Sequence, residues 1–141
     1  MTKMIEMKIP AEARFLKIIR IGVSYTCELI GFSSEDQNNI TLAVDEACSN
    51  IVKYAYDQSP SDIIHMTCRL YNDRIEFTLR DFGKKVNEST IKSRSLDDIR
   101  PGGLGVHLIK SVMDEVIYDT NVKIGNKLKL VKYLTHKGNT C

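Results

Sequence analysis

The sequence predicts an α/β domain of the α+β type, built as a two-layer sandwich of helices on a sheet. Residues 64–70 and 75–79 alternate apolar and polar side chains on either side of Asn72-Asp73, which is the pattern of an antiparallel hairpin with one apolar face. Two amphipathic stretches at helical period precede this hairpin, and a third precedes a final pair of short strands. The helices would cover the apolar face of the sheet.

Length and composition favour one domain spanning residues 1–141. The 141 residues suffice for a single core, and 27% charged with 43% hydrophobic residues is typical of globular chains. The net charge of +2 gives no argument for direct nucleic-acid binding. No apolar run approaches the ~20 residues that cross a bilayer, and the N-terminus lacks the apolar core of a signal peptide. We therefore expect a cytoplasmic protein with no membrane association.

The cysteines predict neither a zinc site nor a disulfide framework, because they show no C-x-x-C spacing. In a reducing compartment we expect free thiols, three of them in the core. The cysteines are Cys27, Cys48, Cys68 and Cys141.

The N-terminal part of the chain predicts an edge strand followed by a first helix. Residues 3–9 alternate apolar and charged side chains, Pro10 fits the first turn of a helix, and Gly31 fits its end. The expected buried stripe of this helix is Phe15, Ile18, Ile19, Gly22, Thr26 and Leu29. Its basic side chains form either a solvated face or a strip for a partner, and they are Arg14, Lys17 and Arg20.

The second predicted helix carries an acid and an amide one turn apart. It is expected to begin at a capping box formed by Ser34 and Gln37 and to run to about residue 57. The i, i+4 spacing places Glu46 and Asn50 on one face, with Cβ atoms about 6 Å apart, so both side chains can reach one ligand. Lys53 continues this line beside the apolar stripe of the helix.

The strand that ends in Arg80-Asp81-Phe82-Gly83 predicts a buried carboxylate. Asp81 has the same parity as Phe77 and Leu79, so its side chain points to the face covered by helices. A buried carboxylate needs a hydrogen-bond donor, because without one it costs several kcal/mol. The alternative is that Asp81 only caps a turn with Gly83.

A polar segment and a glycine cluster follow this strand. Residues 84–102 show no period and include many basic side chains, so we expect a lid over an anion. Gly102, Gly103 and Gly105 then open a predicted helix, whose free N–H groups and positive dipole end can hold phosphate. The alternative is a tight turn from loop to helix. The G-K-[ST] ending of a P-loop does not follow.

These segments, in this order, resemble the histidine-kinase-like ATPase superfamily (GHKL, Bergerat fold). More narrowly, the chain resembles the bacterial serine-protein kinases that act as anti-sigma factors, over nearly its whole length. The residues that carry the resemblance are Asp45-Glu46-Ala47-Cys48-Ser49-Asn50, Asp81-Phe82-Gly83 and Gly103-Leu104-Gly105. The resemblance implies a mixed, mainly antiparallel sheet with helices packed on one face and ATP bound between the helices.

The resemblance also implies roles for the site residues. Asn50 would supply its amide oxygen to Mg²⁺, Glu46 would be the general base for the attacking hydroxyl, and Asp81 would accept a hydrogen bond from the adenine amino group. Gly83 would let the base lie close to the backbone. The remaining candidates for nucleotide binding are Lys53, Gly103, Leu104 and Gly105.

The chain departs from the family's pattern at three positions. Lys85 stands where many relatives have a second glycine, and Tyr54 stands where they often have histidine, so no role passes to Tyr54. A Gly-Thr pair is common at the start of the last strand, and here it is Gly125-Asn126.

The resemblance implies an ATP-dependent serine-protein kinase and anti-sigma factor. Such a protein would bind a sigma factor and phosphorylate a serine of an anti-anti-sigma factor, as a homodimer, with Arg14, Lys17 and Arg20 as candidate partner contacts. The alternative is a non-catalytic module that binds ATP and switches partners. Retention of both Glu46 and Asn50 favours the enzyme, because a site that only binds nucleotide needs no base.

Overall fold

The structure is a computed structural model that describes residues 2–86 and 101–135, with residues 101–105 described through their backbone only. Most of the expected lid, residues 87–100, lies outside the described residues, as does Cys141. Residues 84–86 and 101–102, at the two ends of that expected lid, are described.

A five-stranded sheet and three α-helices make up the described chain. The strands are β1 (Lys3–Pro10), β2 (Ile63–Leu70), β3 (Arg74–Asp81), β4 (Glu115–Tyr118) and β5 (Asn126–Tyr133). The helices are α1 (Leu16–Ile30), α2 (Ser34–Asn50) and α3 (Pro101–Val112), with a 3₁₀ turn at Ala13–Phe15 and a π-helical turn at Ile51–Ala55. None of these helices has the length and apolar character that a membrane span requires.

The sheet has the strand order β1-β2-β3-β5-β4, and all four pairings between these strands are antiparallel. β1 is an edge strand, as the sequence predicted. Alternate side chains of β2 and β3, among them Ile64, Phe77 and Leu79, are buried in one core with Ile40 and Val44 of α2. The two-layer α+β prediction is therefore confirmed.

The first helix differs from the prediction in its start and in its buried face. Pro10 is the last residue of β1, opposite Ile63, and α1 begins only at Leu16. The predicted stripe is wrong for Ile18 and Leu29, which are 48% and 57% exposed. The buried side chains are Leu16, Ile19, Val23, Thr26 and Cys27. Both sides of α1 carry apolar residues, so periodicity alone does not decide which side faces the sheet.

The ends of the helices are set by local hydrogen bonds. Gly31 ends α1 in the left-handed conformation, with φ of 102°, as predicted. The capping box predicted at Ser34 is wrong by one residue, because the Oγ atom of Ser33 accepts the N–H of Asp36 at 3.1 Å. Gln37 instead donates from Nε2 to the carbonyl of Phe32 at 2.8 Å.

Three cysteines are free and buried, as predicted: Cys27, Cys48 and Cys68. Burial raises the pKa of Cys27 and of Cys68 to about 12. Because the thiolate is the reactive form, these side chains act as core residues and not as nucleophiles.

Candidate active site

A cleft opens between α2, α3 and the sheet, where β3 ends and β5 begins. Residues of α2, the π-helical turn, α3, β3 and β5 line it. Its apolar walls include Ala47, Ile51, Leu79, Ile109 and Leu128. Its polar side chains include Asn50, Asp81 and Asn126. An apolar cleft with a few convergent polar groups is suited to a flat, partly polar ligand.

Asp81 is buried at the floor of this cleft, as its strand parity predicted, with 1% of its surface exposed. Its Oδ1 atom accepts hydrogen bonds from the N–H of Gly83 and from Nδ2 of Asn126, both at 3.0 Å. Its Oδ2 atom is buried and has no hydrogen-bond partner among the described residues. One oxygen therefore caps the turn, while the other is free for a ligand.

The environment of Asp81 raises the pKa of its carboxyl group. Burial is the main cause, and the hydrogen bonds from Asn126 and Gly83, together with the charge of Arg80, oppose it. An acceptor that is unsatisfied in a poorly solvated cleft is costly, so a ligand N–H group directed at Oδ2 would be strongly favoured.

The turn after Asp81 is braced from two sides. A Cβ atom added at Gly83 would lie 2.1 Å from the carbonyl oxygen of Ala55 in the π-helical turn, so only glycine fits there. The hydroxyl of Tyr56 accepts the N–H of Phe82 at 2.7 Å and donates to the carbonyl of Ile63 at 2.8 Å. Gly83 is therefore required because the π-helical turn and the segment after β3 approach each other closely at this point.

Glu46 and Asn50 lie one turn apart on α2, as the sequence predicted. Asn50 is buried, and Glu46 is half-buried. In the part of the chain that the structure describes, Oε1 of Glu46 and Oδ1 of Asn50 are buried and have no hydrogen-bond partner. Native proteins seldom leave such oxygens unsatisfied, so both point to a bound cation or donor.

Burial also raises the pKa of Glu46. The positive charge of Lys53 opposes this rise, and the negative charge of Asp45 adds to it. A carboxylate with a raised pKa is a better proton acceptor than an ordinary one near neutral pH. Lys53 itself is exposed.

The glycine cluster lies inside α3. Because α3 spans Pro101–Val112, Gly102, Gly103 and Gly105 form its first turns and do not precede it. The helix packs against α2, and its Ile109 lines the cleft. The side chain of Leu104 lies outside the described residues, and phosphate binding by this end of α3 stays a prediction.

The comparison with known families decides the class of protein. The sequence pattern described as "Histidine kinase-like ATPase domain" matches residues 9–132. The chain belongs to the histidine kinase-like ATPase family. The prediction from the sequence is therefore confirmed at this level.

Curated relatives of this ATPase-family chain carry a common name. The serine-protein kinase RsbW of Bacillus mycoides is 36% identical over 120 residues, which cover 79% of this chain and 74% of the relative. The serine-protein kinase RsbW of Halalkalibacterium halodurans is 32% identical over 138 residues, which cover 92% and 83%. These values place the chain with the serine-protein kinases of the family.

A solved structure supports the fold of the ATPase family. The histidine kinase domain of the blue-light activated histidine kinase from Erythrobacter litoralis EL346 has a TM-score of 0.58 to this chain at 17% identity. The likeness covers 93% of this chain and 64% of that chain. At this identity it concerns the fold alone.

The basic residues predicted to contact partners lie on α1 and on the turn before it. Nη1 of Arg20 lies 3.0 Å from Oδ1 of Asp45, next to Glu46 in the chain. Arg14 pairs with Glu12 at 3.1 Å, and Lys17 is exposed. The structure therefore links Arg20 alone of the three to the helix that carries the active-site acid.

Tyr56 was not predicted as part of this site, and Asn126 was noted from the sequence only as the residue that replaces the threonine of a Gly-Thr pair. Tyr56 braces the turn after Asp81, and Asn126 donates to Asp81 from the first position of β5. Asn126 lies directly opposite Asp81 in the β3–β5 pairing. The register of these two strands was the missing signal, because strands distant in sequence give no local clue to their pairing.

Proposed function

We propose that this chain is a serine-protein kinase and anti-sigma factor that transfers the terminal phosphoryl group of ATP to a serine of an anti-anti-sigma protein. The observation that carries the proposal is the set of three buried oxygens without partners in the described chain, namely Glu46 Oε1, Asn50 Oδ1 and Asp81 Oδ2. Its relatives named serine-protein kinase support the same activity.

Asp81 would bind the adenine end of the nucleotide. Its free Oδ2 is an acceptor, and the 6-amino group of adenine is a donor, whereas guanine carries an acceptor at the same position. Leu79, Ile109 and Leu128 supply apolar surface for the flat faces of the base. This arrangement favours ATP over GTP.

Asn50 would hold Mg²⁺ together with the nucleotide. Among the described residues, no group of three or more His, Cys, Asp or Glu side chains could hold a metal ion. Mg²⁺ in nucleotide sites takes few protein ligands and completes its shell with phosphate oxygens and water, which fits one amide oxygen. When bound, the ion neutralises negative charge on the phosphates.

Glu46 would act as the general base. It lies one turn from Asn50, so a hydroxyl group that attacks the phosphate held near Asn50 would lie within reach of its carboxylate. Burial raises the pKa of Glu46, which strengthens it as an acceptor of the serine proton.

The surface of α1 would receive the protein partners. Four exposed apolar side chains lie along one face at helical spacing, and they are Ile18, Ile21, Tyr25 and Leu29. Lys17 and Arg20 lie on the same helix and would add charge to the contact. A contiguous apolar strip with a charged border is typical of a protein-binding surface.

Two further expectations stay predictions. The homodimer implied by the family resemblance is tested by sedimentation of the purified chain. The cytoplasmic location is tested by fractionation of cells that express it.

The deciding experiment incubates the chain with Mg²⁺-ATP and candidate antagonist proteins, followed by mass spectrometry for phosphoserine. We expect one phosphoserine on one antagonist and none when EDTA removes the metal. Tight ATP binding without transfer to any candidate would favour the non-catalytic partner-switch module. No heat of ATP binding in calorimetry would overturn both functions.

A further inference from the structure

Leu42 is the large apolar side chain of α2 that is left mostly exposed, with 52% of its surface accessible. Its apolar neighbours Ile40 and Val44 are buried in the core. A lone exposed leucine is common on protein surfaces, so its exposure by itself means little. Its position is informative, because it lies four residues before Glu46 and therefore on the same face of the helix.

This face of α2 lies between α1 and the cleft. Asp45 marks the α1 side, because its Oδ1 atom pairs with Nη1 of Arg20 at 3.0 Å, and Asn50 marks the cleft side, because it lines the cleft. At about 100° per residue, Leu42 and Glu46 fall between these two sides around the helix axis. Nucleotide would fill the cleft side, so a protein that brings a serine to Glu46 must approach over the solvent side, where Leu42 lies.

The spacing of Leu42 and Glu46 matches that of an extended protein segment. The two residues are about 6 Å apart along the helix axis, since each helical residue advances about 1.5 Å. In an extended segment, residues i and i+2 point to the same side and lie about 6.6 Å apart. A serine that faces Glu46 would therefore place the side chain two positions away in its own chain over Leu42.

We infer that Leu42 is a specificity-determining residue for the protein substrate, which packs against an apolar side chain two positions from the serine that is phosphorylated. The inference rests on the proposed function, since it requires a serine at Glu46. Covering the exposed half of a leucine in this way is worth about tenfold in affinity. A charged side chain at that position would lose solvent against Leu42 without gaining a partner, so it would make a poor substrate.

The test measures steady-state phosphoryl transfer to the antagonist protein in which mass spectrometry finds the phosphoserine. Leu42→Ser should raise KM for that antagonist about tenfold, because the apolar contact is lost. It should leave kcat, and the affinity for ATP in calorimetry, within about twofold. Ile117→Ser is the matched control, because Ile117 is similarly exposed, at 45%, on the edge strand β4, and it should behave as the parent.

An exchange of charge separates a specific contact from a general loss of binding. Leu42→Lys should lose the natural antagonist and regain an antagonist variant in which glutamate replaces the apolar residue two positions from the serine. The parent should phosphorylate that antagonist variant poorly. The non-additive recovery in kcat/KM, about fivefold or more in a double-mutant cycle, reports the contact itself. Glutamate placed four positions from the serine is the control and should restore nothing.

The outcomes separate this inference from the proposed function. An unchanged KM for the antagonist in Leu42→Ser would overturn the contact and leave the kinase activity standing. An equal fall in kcat or in ATP affinity would also contradict it, because Leu42 would then act on the nucleotide site. Rescue of Leu42→Lys at four positions and not at two would overturn the register. Failure of the parent to bind ATP or to phosphorylate any antagonist would overturn the proposed function itself, and this inference with it.

Discussion

Each end of the cleft presents a buried oxygen that no described residue satisfies, and the two ends differ in how the side chain that carries it is held. At the end that we propose binds adenine, called the adenine end, Asp81 is held by two donors, and the turn after it is braced by Tyr56 and by the contact of Gly83 with Ala55. At the other end, Glu46 and Asn50 present oxygens that no described residue satisfies. Under the proposed function, a rigid acceptor would select the base at little entropic cost, and nucleotide and metal would satisfy the oxygens of Glu46 and Asn50 at the other end, called the chemical end.

The largest effect is expected at the chemical end. Glu46→Gln keeps the shape of the side chain but removes the base, so phosphoryl transfer should fall at least ~100-fold while ATP affinity is kept. Single-turnover phosphoserine formation and calorimetry measure the two quantities. Unchanged transfer would remove Glu46 from the role of base.

Asp81→Asn tests the adenine end directly. The amide oxygen can still accept from Gly83 and Asn126, but an N–H group then faces the adenine amino group in place of Oδ2. ATP should bind about 10- to 100-fold more weakly, which corresponds to roughly 1–3 kcal/mol, and GTP should lose less. If both nucleotides bound the parent and the variant equally, Asp81 would not read the base.

Gly83→Ala tests whether the brace matters. The added Cβ would meet backbone of Ala55, which cannot move aside without shifting the π-helical turn, so ATP affinity should fall about tenfold and stability by roughly 1–3 kcal/mol. Gly22→Ala is the matched control, because its Cβ would meet only the flexible end of Met7. Equal losses of ATP affinity in both variants would mean that the brace has no specific role.

The smallest effect concerns the stability of the chain without nucleotide. Because the pKa of Asp81 is raised, the folded state binds its proton more tightly than the unfolded state, and the associated stability is lost as pH rises through the raised pKa. The Asp81→Asn variant has no carboxyl group at this position, so its stability does not fall in this way as pH rises. Its Tm relative to the parent should therefore rise from pH 4 to pH 7 in thermal scans.

The control for that measurement is Asp57→Asn, which removes an exposed carboxylate near the same turn. A surface ion pair contributes little, so its Tm difference should not rise with pH. If the Tm difference between Asp81→Asn and the parent did not change with pH, the charged form of Asp81 would not destabilise the folded chain.

Local sequence patterns were enough to predict most of the fold and the positions of Glu46, Asn50 and Asp81 in the cleft. The hairpin, the edge position of β1, the end of α1 at Gly31 and the inward direction of Asp81 all follow from alternation, helical period or turn chemistry. The placement of Glu46 and Asn50 on one face of α2 follows from their i, i+4 spacing alone. Each of these features depends on residues close together in the sequence.

The features that the sequence did not predict depend on distant contacts. The side of α1 that is buried is decided by its packing against α2, because Ile18 and Ile19 are equally apolar and only one of them is covered. Asn126 acquires its role from lying opposite Asp81, which is 45 residues away in the chain. A pattern within a single element carries no information about either choice.

The π-helical turn limits how the sequence of this region can change in length. It adds one residue to a helical turn, so deleting a residue between Asn50 and Tyr56 would rotate the C-terminal end of the turn by about 100° around the helix axis. The hydroxyl group of Tyr56 and the carbonyl oxygen of Ala55 would then no longer accept hydrogen bonds from Phe82 and Lys84, which follow β3. A gain or loss of one codon within Ile51–Ala55 would therefore be selected against even if every functional side chain were retained.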